Sequence, residues 1–411
     1  MRASSPRQPS ATPDRSGLSG RDRLPSLTGL RFWAALIVVL YHLSRQVGEI
    51  PGLSQATWYG RSGVTFFFVL SGFVLAWTYD GQRVPATVFL WRRFARIWPL
   101  LVVTSAASVA VWIAIGKEVS TKAVLATLLM VHAWVADPVI QKGANPAAWS
   151  LSDEAWFYLV FPLLMLLPAL RSGRGRFWTA VTMCVALVLV WFASALIDTG
   201  ATRVWLLDYF PPTRMLQFVV GVAAGLAVKR GWRPPVALPA AIGLVALWHL
   251  ALIPWHAAVP DSLWYSPYSA SQLLSAPIFA LLVCAAAQAD LAGGRTGLGG
   301  TWSVRLGHWS FAWYLVHEIV IRALLARFGR TETLATTAGF WLLAIVISLA
   351  LAGMAYQWVE HPLERLLRRA GPQARKPGSP LDSARPGAAA GTAGPATSTS
   401  ITGPERGGPR G

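Results

Sequence analysis

Ten long apolar stretches alternate with short polar connections along the chain, at 27–45, 62–80, 98–116, 149–170, 177–196, 209–228, 236–253, 270–289, 306–326 and 335–358. Each is close to the roughly 20 residues that a helix needs to cross the hydrocarbon core. The pattern predicts an all-α fold: a polytopic integral membrane helix bundle of about ten transmembrane helices. An eleventh apolar run, 123–136, is shorter and stops at Asp137-Pro138, as a re-entrant or interfacial segment does. The first apolar run follows 26 polar, Arg-rich residues, which is too late for a cleavable leader, so it reads as a retained anchor.

Basic residues decide how the spans are threaded. With ten crossings, 25 of the 36 Lys and Arg fall in the two tails and the loops at 81–97, 171–176, 229–235 and 290–305. Eight lie on the opposite side, and Arg31, Arg214 and Arg322 lie within spans. That bias predicts a multi-pass protein of the cytoplasmic (plasma) membrane with both termini cytoplasmic. A crossing by 123–136 would invert every later loop and abolish the bias, so this segment is expected to stay on the outer side, with Trp134 at an interface.

Composition agrees. The chain is 54% hydrophobic and only 13% charged, where soluble proteins carry about 25% charged residues. The net charge of +18 resides in short loops and tails rather than in a basic helix with interleaved aromatics, so no nucleic-acid partner is expected. Cys184 and Cys284 both sit in apolar runs, which argues against a disulfide framework. Residues 1–24 read as a disordered basic N-tail. Residues 371–411, rich in Gly, Pro, Ala and Ser, read as a disordered C-tail unable to bury enough surface to order itself. The chain has no internal repeat and no pair of Gly/Pro-broken spans, features a transporter would favour. No P-loop, dinucleotide fingerprint or metal-ligand spacing occurs, and no metal is expected.

The chemistry lies in the polar groups inside the apolar runs. Ionisable side chains are expensive in hydrocarbon and mark functional sites. Arg31 and His42 are eleven residues apart, which puts them on one helix face about 16 Å apart along the axis. That face carries a cation near one membrane surface and a general base near the other. Glu154, in Trp149-Ser150-Leu151-Ser152-Asp153-Glu154, opens the fourth span at the depth expected for His42, where a carboxylate would orient the imidazole. Ser150 and Asp153 have nearly the spacing of a helix capping box. Arg93 and Arg96, three apart in the loop 91–99, share one face of a helical turn, which suits either anchoring at the inner membrane surface or bidentate binding of a phosphate. Ser310, Tyr314 and His317 make a polar stripe on the ninth span. Ser71-Gly72, near mid-membrane in the second, reads as a close-packing site.

Together these motifs resemble acyltransferase family 3, ten-span membrane acyltransferases that decorate sugars. The likeness runs over about 25–365 and rests on six segments in order. They are Arg31 through His42, the Phe-rich stretch 63–73, Arg93-Phe94-Ala95-Arg96, Trp149-Ser150-Leu151 with Glu154, Phe157, Tyr158 and Pro162, Ser310 with Tyr314-Leu315 and His317, and Glu360 with Pro362. The resemblance implies a membrane acyltransferase domain over 25–370 and O-acylation from acyl-CoA, chiefly acetyl-CoA, as co-substrate. The acceptor it implies is a hydroxyl of a cell-surface or lipid-linked polysaccharide, or of a glycosylated small molecule such as a macrolide. Arg31, Arg93 and Arg96 would hold the donor. His42, oriented by Glu154, would act as base or be acylated itself. Tyr158, Ser310, Tyr314 and His317 would contact substrate. Some relatives carry a fused esterase-like domain after the spans; with none following here, transfer is expected to finish within the bundle or on a separate protein.

Overall fold

The computed structural model describes residues 23–197, 200–258 and 267–373. The expected tails, 1–24 and 371–411, lie outside these residues apart from 23–24 and 371–373. The described residues contain helices and no strand. The first eight helices are α1 Pro25–Gln46, α2 Leu53–Thr57, α3 Gly63–Tyr79, α4 Ala86–Ala114, α5 Thr121–Leu128, α6 Pro138–Lys142, α7 Trp149–Leu164 and α8 Gly173–Ala193. There follow α9 Gly200–Asp208, α10 Pro211–Lys229, α11 Leu238–Ala258, α12 Pro267–Leu273, α13 Ala276–Leu291, α14 Thr301–Phe328, α15 Leu334–Ala355 and α16 His361–Ala370. Eight helical stretches are long and apolar enough to cross a membrane, and the bent pair α12–α13 makes a ninth.

The remaining predicted span, α7, has only 16 residues, about 24 Å of rise against a core of about 30 Å. Helix directions nevertheless make it a crossing. A Cβ added at Gly221 would meet the Val69 carbonyl, and one at Gly225 the Phe73 carbonyl. The two positions advance together, so α3 and α10 run parallel. Two parallel membrane helices must be separated by an odd number of crossings. Here those are α4, α7 and α8. A crossing by 123–136 would turn α10 around. That segment instead forms α5, a short turn His132–Trp134 and α6, the longest of them eight residues. The sequence expectation that it does not span agrees with this. Thr28 against Gly307, with His42 against His317 and Glu318, sets α1 parallel to α14. These are the first and ninth spans, as ten crossings require.

Three local features differ from the sequence reading. First, α4 begins at Ala86, well before the apolar run at 98, and runs through Pro99. Arg93 and Arg96 therefore sit on a rigid helix rather than in a loop. Second, Ser150 is not a cap: α7 starts at Trp149, and the Ser150 hydroxyl donates to Tyr314 OH at 3.1 Å. Third, one span is broken. A 41° bend separates α12 from α13 just before Pro277 and frees the Gln272 carbonyl. In hydrocarbon such a group needs internal donors. It receives three, from Thr65 Oγ1 at 2.5 Å, Gln217 Nε2 at 2.6 Å and Arg214 Nη1 at 3.2 Å. Arg214 is fully buried and also donates to the Asp208 carbonyl from Nε and Nη2 at 3.0 and 2.8 Å. This intramembrane arginine repairs a helix break.

Glycine lets α3 and α10 touch backbone to backbone. A Cβ at Gly72 would come within 2.1 Å of the Phe218 carbonyl and 2.9 Å of the Val222 nitrogen, which bears out the packing role expected of Gly72, whereas Ser71 lines a cavity instead. Gly72→Val is expected to cost on the order of 3 kcal/mol through overpacking. Thermal unfolding in detergent should show it as a Tm several degrees lower; an unchanged Tm would mean that the helices separate without penalty.

Candidate active site

Five helices build a cavity of about 140 Å³ at the end of the bundle where α1 begins. Arg31 comes from α1, Ser71 from α3, Arg93 and Arg96 from α4, Glu154 and Tyr158 from α7, and Phe311 from α14. Three guanidiniums thus share the space with one carboxylate. Tyr158 OH donates to Glu154 Oε2 at 3.0 Å. The Arg93 guanidinium lies 5.9 Å from the ring centres of Tyr79, Phe89 and Tyr158, where aromatic faces stabilise a cation. Arg96 Nη1 pairs with Glu360 at 3.4 Å and with Glu364 at 3.2 Å. A π-helical turn, Tyr356–Glu360, between α15 and α16 carries the buried Glu360.

A second cavity, about 240 Å³, opens where α1 ends. His42 Nδ1 lies 2.6 Å from Glu318 Oε1. Gln46 Nε2 also donates to that oxygen at 2.8 Å, and Arg322 Nε reaches Oε2 at 3.2 Å. With Nδ1–H held by a carboxylate, the proton-accepting nitrogen of His42 is Nε2. His317 stands beside it with ring centres 5.1 Å apart. Its Nδ1 lies 3.2 Å from the Trp313 carbonyl, and its Nε2 is buried without a partner.

A smaller cavity of about 50 Å³ connects the two. It shares Arg31, Phe67, Glu154 and Phe311 with the first and Val64 and Tyr314 with the second, and Phe68, Ser150, Leu151 and Ser310 complete its wall. Ser310 Oγ donates to the Gly307 carbonyl of its own helix at 2.7 Å. A volume of this size holds a few waters at most. Between the two chambers the space thus narrows to a neck with a largely apolar wall and a few polar groups.

The structure brings Arg31, Arg93, Arg96, Glu154 and Tyr158 together at one end, and His42, His317 and Tyr314 at the other, with Ser310 at the neck. It corrects one pairing: Glu154 does not orient His42. Because α7 is short it starts inside the bundle. Trp149 lines the His42 cavity, and Glu154, a turn and a half deeper, has come down to the level of Arg31. Glu318 is the partner that sequence reasoning missed. The signal was present, since a carboxylate within an apolar span obeys the rule that singled out Arg31 and His42. The atoms of His42, His317 and Glu318 lie within 4.8 Å of one another, a grouping that could suit a metal. However, two tetrahedral ligands of zinc lie about 3.4 Å apart, so the 2.6 Å between His42 and Glu318 fits a charge-assisted hydrogen bond better.

A multi-pass helix bundle with a basic chamber, a narrow neck and a carboxylate-held imidazole has the form of a membrane-embedded group-transfer enzyme. The comparisons with known proteins specify which. Residues 24–357 match the acyltransferase family 3 domain, described as "Acyltransferase domain", and the chain belongs to that family. It is 34% identical over 389 residues to acyltransferase MdmB of Streptomyces mycarofaciens, covering 88% of this chain and 97% of the relative. Exopolysaccharide production protein ExoZ of Rhizobium meliloti is 28% identical over 80% of this chain and 95% of its own length. O-acetyltransferase OatA of Staphylococcus aureus is 28% identical over 34% of this chain and 24% of its own length. No solved structure matches the chain. The protein is an acyltransferase, borne on a multi-pass membrane bundle.

Glu318→Gln keeps the side-chain size and removes the charge that holds His42. Turnover should fall by about 10²–10³-fold with the donor KM little changed. Steady-state kinetics of the purified protein would read this directly, and a wild-type kcat would place Glu318 outside the chemistry.

Proposed function

We propose that this protein is an acyl-CoA-dependent O-acyltransferase that acylates, chiefly acetylates, a hydroxyl of a cell-surface or lipid-linked carbohydrate. The observation that carries the reading is the series of three cavities with shared walls from Arg93 and Arg96 to His42. The excess of basic residues on the Arg93 side supports a cytoplasmic-membrane orientation with both termini cytoplasmic. In that orientation the donor enters where acyl-CoA is made, and the acceptor arrives from the other side.

Arg93, Arg96 and Arg31 bind phosphate oxygens of the donor, whose planar recognition suits guanidinium forks. Tyr158 and Glu154 line the path of the thioester arm. Passage through the neck requires Phe311 and Tyr314 to swing aside, because the space there is only about 50 Å³. At the far chamber His42 Nε2 removes the proton of the acceptor hydroxyl as its oxygen attacks the thioester carbonyl. The tetrahedral intermediate collapses, the C–S bond breaks, and the imidazolium returns the proton to the departing thiolate. Glu318 balances the transient charge on His42, so the ring need not stay cationic in apolar surroundings. An order in which His42 is first acylated uses the same groups, and single-turnover trapping of an acyl-enzyme distinguishes the two.

The name of the relative ExoZ supports a polysaccharide acceptor. Mass spectrometry of envelope glycans and secreted metabolites from strains with and without the protein tests this: loss of acyl esters from the glycans supports it, and loss from a small metabolite alone overturns it. His42→Ala should abolish transfer while the protein still binds donor. Arg93→Gln and Arg96→Gln should each raise the donor KM by about 10- to 100-fold, as loss of a charge-assisted hydrogen bond does. Initial rates against acyl-CoA concentration check both, and near-normal turnover by His42→Ala would assign the base elsewhere.

A further inference from the structure

The proposed function occupies the arginines at the donor end and leaves the charge at the His42 end unused. That chamber is lined by four cations, Arg45, Arg61, Lys142 and Arg322, against one carboxylate, Glu318. Only eight Lys and Arg fall on that side in the ten-crossing reading, and Arg45, Arg61 and Lys142 are three of them. Their convergence on one cleft is not what anchoring to a membrane surface requires. Arg322 is committed to Glu318 at 3.2 Å, and Glu318 also serves His42. Nearby, Arg330 donates to the carbonyls of Gln46 and Arg45 and adds to the positive field.

Arg61 is the most telling of these groups. Only 9% of it is exposed. Nη1 is held by Asp208 at 3.0 Å and by Tyr268 OH at 3.1 Å, and the guanidinium lies 4.8 Å from the ring centre of Tyr209. Its Nη2 is buried with no hydrogen-bond acceptor. A buried donor left empty is costly, and a cleft with an excess of positive charge, four cations against Glu318 and the Asp208 that holds Arg61, attracts anions.

We propose that the acceptor carries an oxyanion, a phosphate or a carboxylate on the sugar, beside the hydroxyl that is acylated, and that Arg61 binds it with Arg45 and Lys142. The proposal rests on the reading of this chamber as the acceptor site and narrows its substrate to anionic carbohydrate. A neutral sugar leaves Arg61 Nη2 empty, and a protonated amino sugar is repelled. Discrimination thus comes from rejection as well as attraction.

The test is a titration of the purified full-length protein, saturated with CoA to occupy the donor end, with glucose 1-phosphate, glucuronate and glucose, read by calorimetry. The two anions should each bind at least about tenfold more tightly than glucose, with the advantage shrinking as salt rises. The exposed pair Arg45→Gln with Lys142→Gln should erase most of that advantage without endangering the fold, whereas Arg45→Lys should retain it. Preference for only one of the anions identifies which oxyanion is read. Equal affinity for all three ligands overturns the proposal. So does an anion preference that survives in the Arg45/Lys142 variant and vanishes in Arg93→Gln with Arg96→Gln, which would assign the anion to the donor end. Acyl transfer to an envelope glycan extract is measured in parallel. If it is absent, the reading of the function fails; if it is present while the anions are not preferred, only this inference fails.

Discussion

Charge in hydrocarbon must be paired or enclosed, and that constraint organises this bundle from end to end. Arg214 closes a broken helix, Arg61 is clamped by Asp208, and Glu318 stands between His42 and Arg322. Most of these charged groups repair backbone, pair with one another or line a chamber. The site is therefore the residue left after the structural charges have been accounted for. It consists of three arginines about one carboxylate at one end and an imidazole held by another carboxylate at the opposite end.

Two parallel helix pairs hold that arrangement in place. α3 and α10 meet through Gly72, Gly221 and Gly225, with no side chain between their backbones. α1 and α14 meet through Gly307 against the Thr28 carbonyl near their starts, where Gly29 packs on Leu298 in the turn before α14, and across His42, His317 and Glu318 near their ends. Contact this close leaves little freedom for one helix to slide on the other. The 2.6 Å separation of His42 from Glu318 thus lies about a dozen residues along each helix from the glycine contacts, at about 1.5 Å of rise per residue. Close packing by small residues holds such a pair in register where no hydrophobic effect drives helices together.

The chamber walls suggest how a transfer reaction can be divided across a membrane thickness. Both ends are cationic, yet their surroundings differ. At the Arg93 end the guanidiniums belong to a long rigid helix and are flanked by Glu360 and Glu364. At the His42 end they come from separate elements and surround a base. On the proposed function the first set holds a soluble donor and the second receives an acceptor. In that proposal the neck between them, only about 50 Å³, separates the donor end from the acceptor end.

Much of this was legible along the chain. Apolar runs of near-constant length marked the crossings, loop charges excluded 123–136, and the rarity of charge in those runs drew attention to Arg31 and His42. Such features are local, because hydrocarbon thickness and desolvation act on each segment by itself. Which carboxylate meets the imidazole was not local. Glu154 and Glu318 are equally plausible by type, and only the shortness of α7 and the register of α1 on α14 send the first to Arg31 and the second to His42. Arg61 and Arg214 likewise took different places, one lining a chamber and the other closing a helix break, through partners brought from distant helices. The sequence by itself determined how many times the chain crosses and which groups are too costly to be idle; the tertiary structure decided who partners whom, because pairing depends on the depth at which each helix starts.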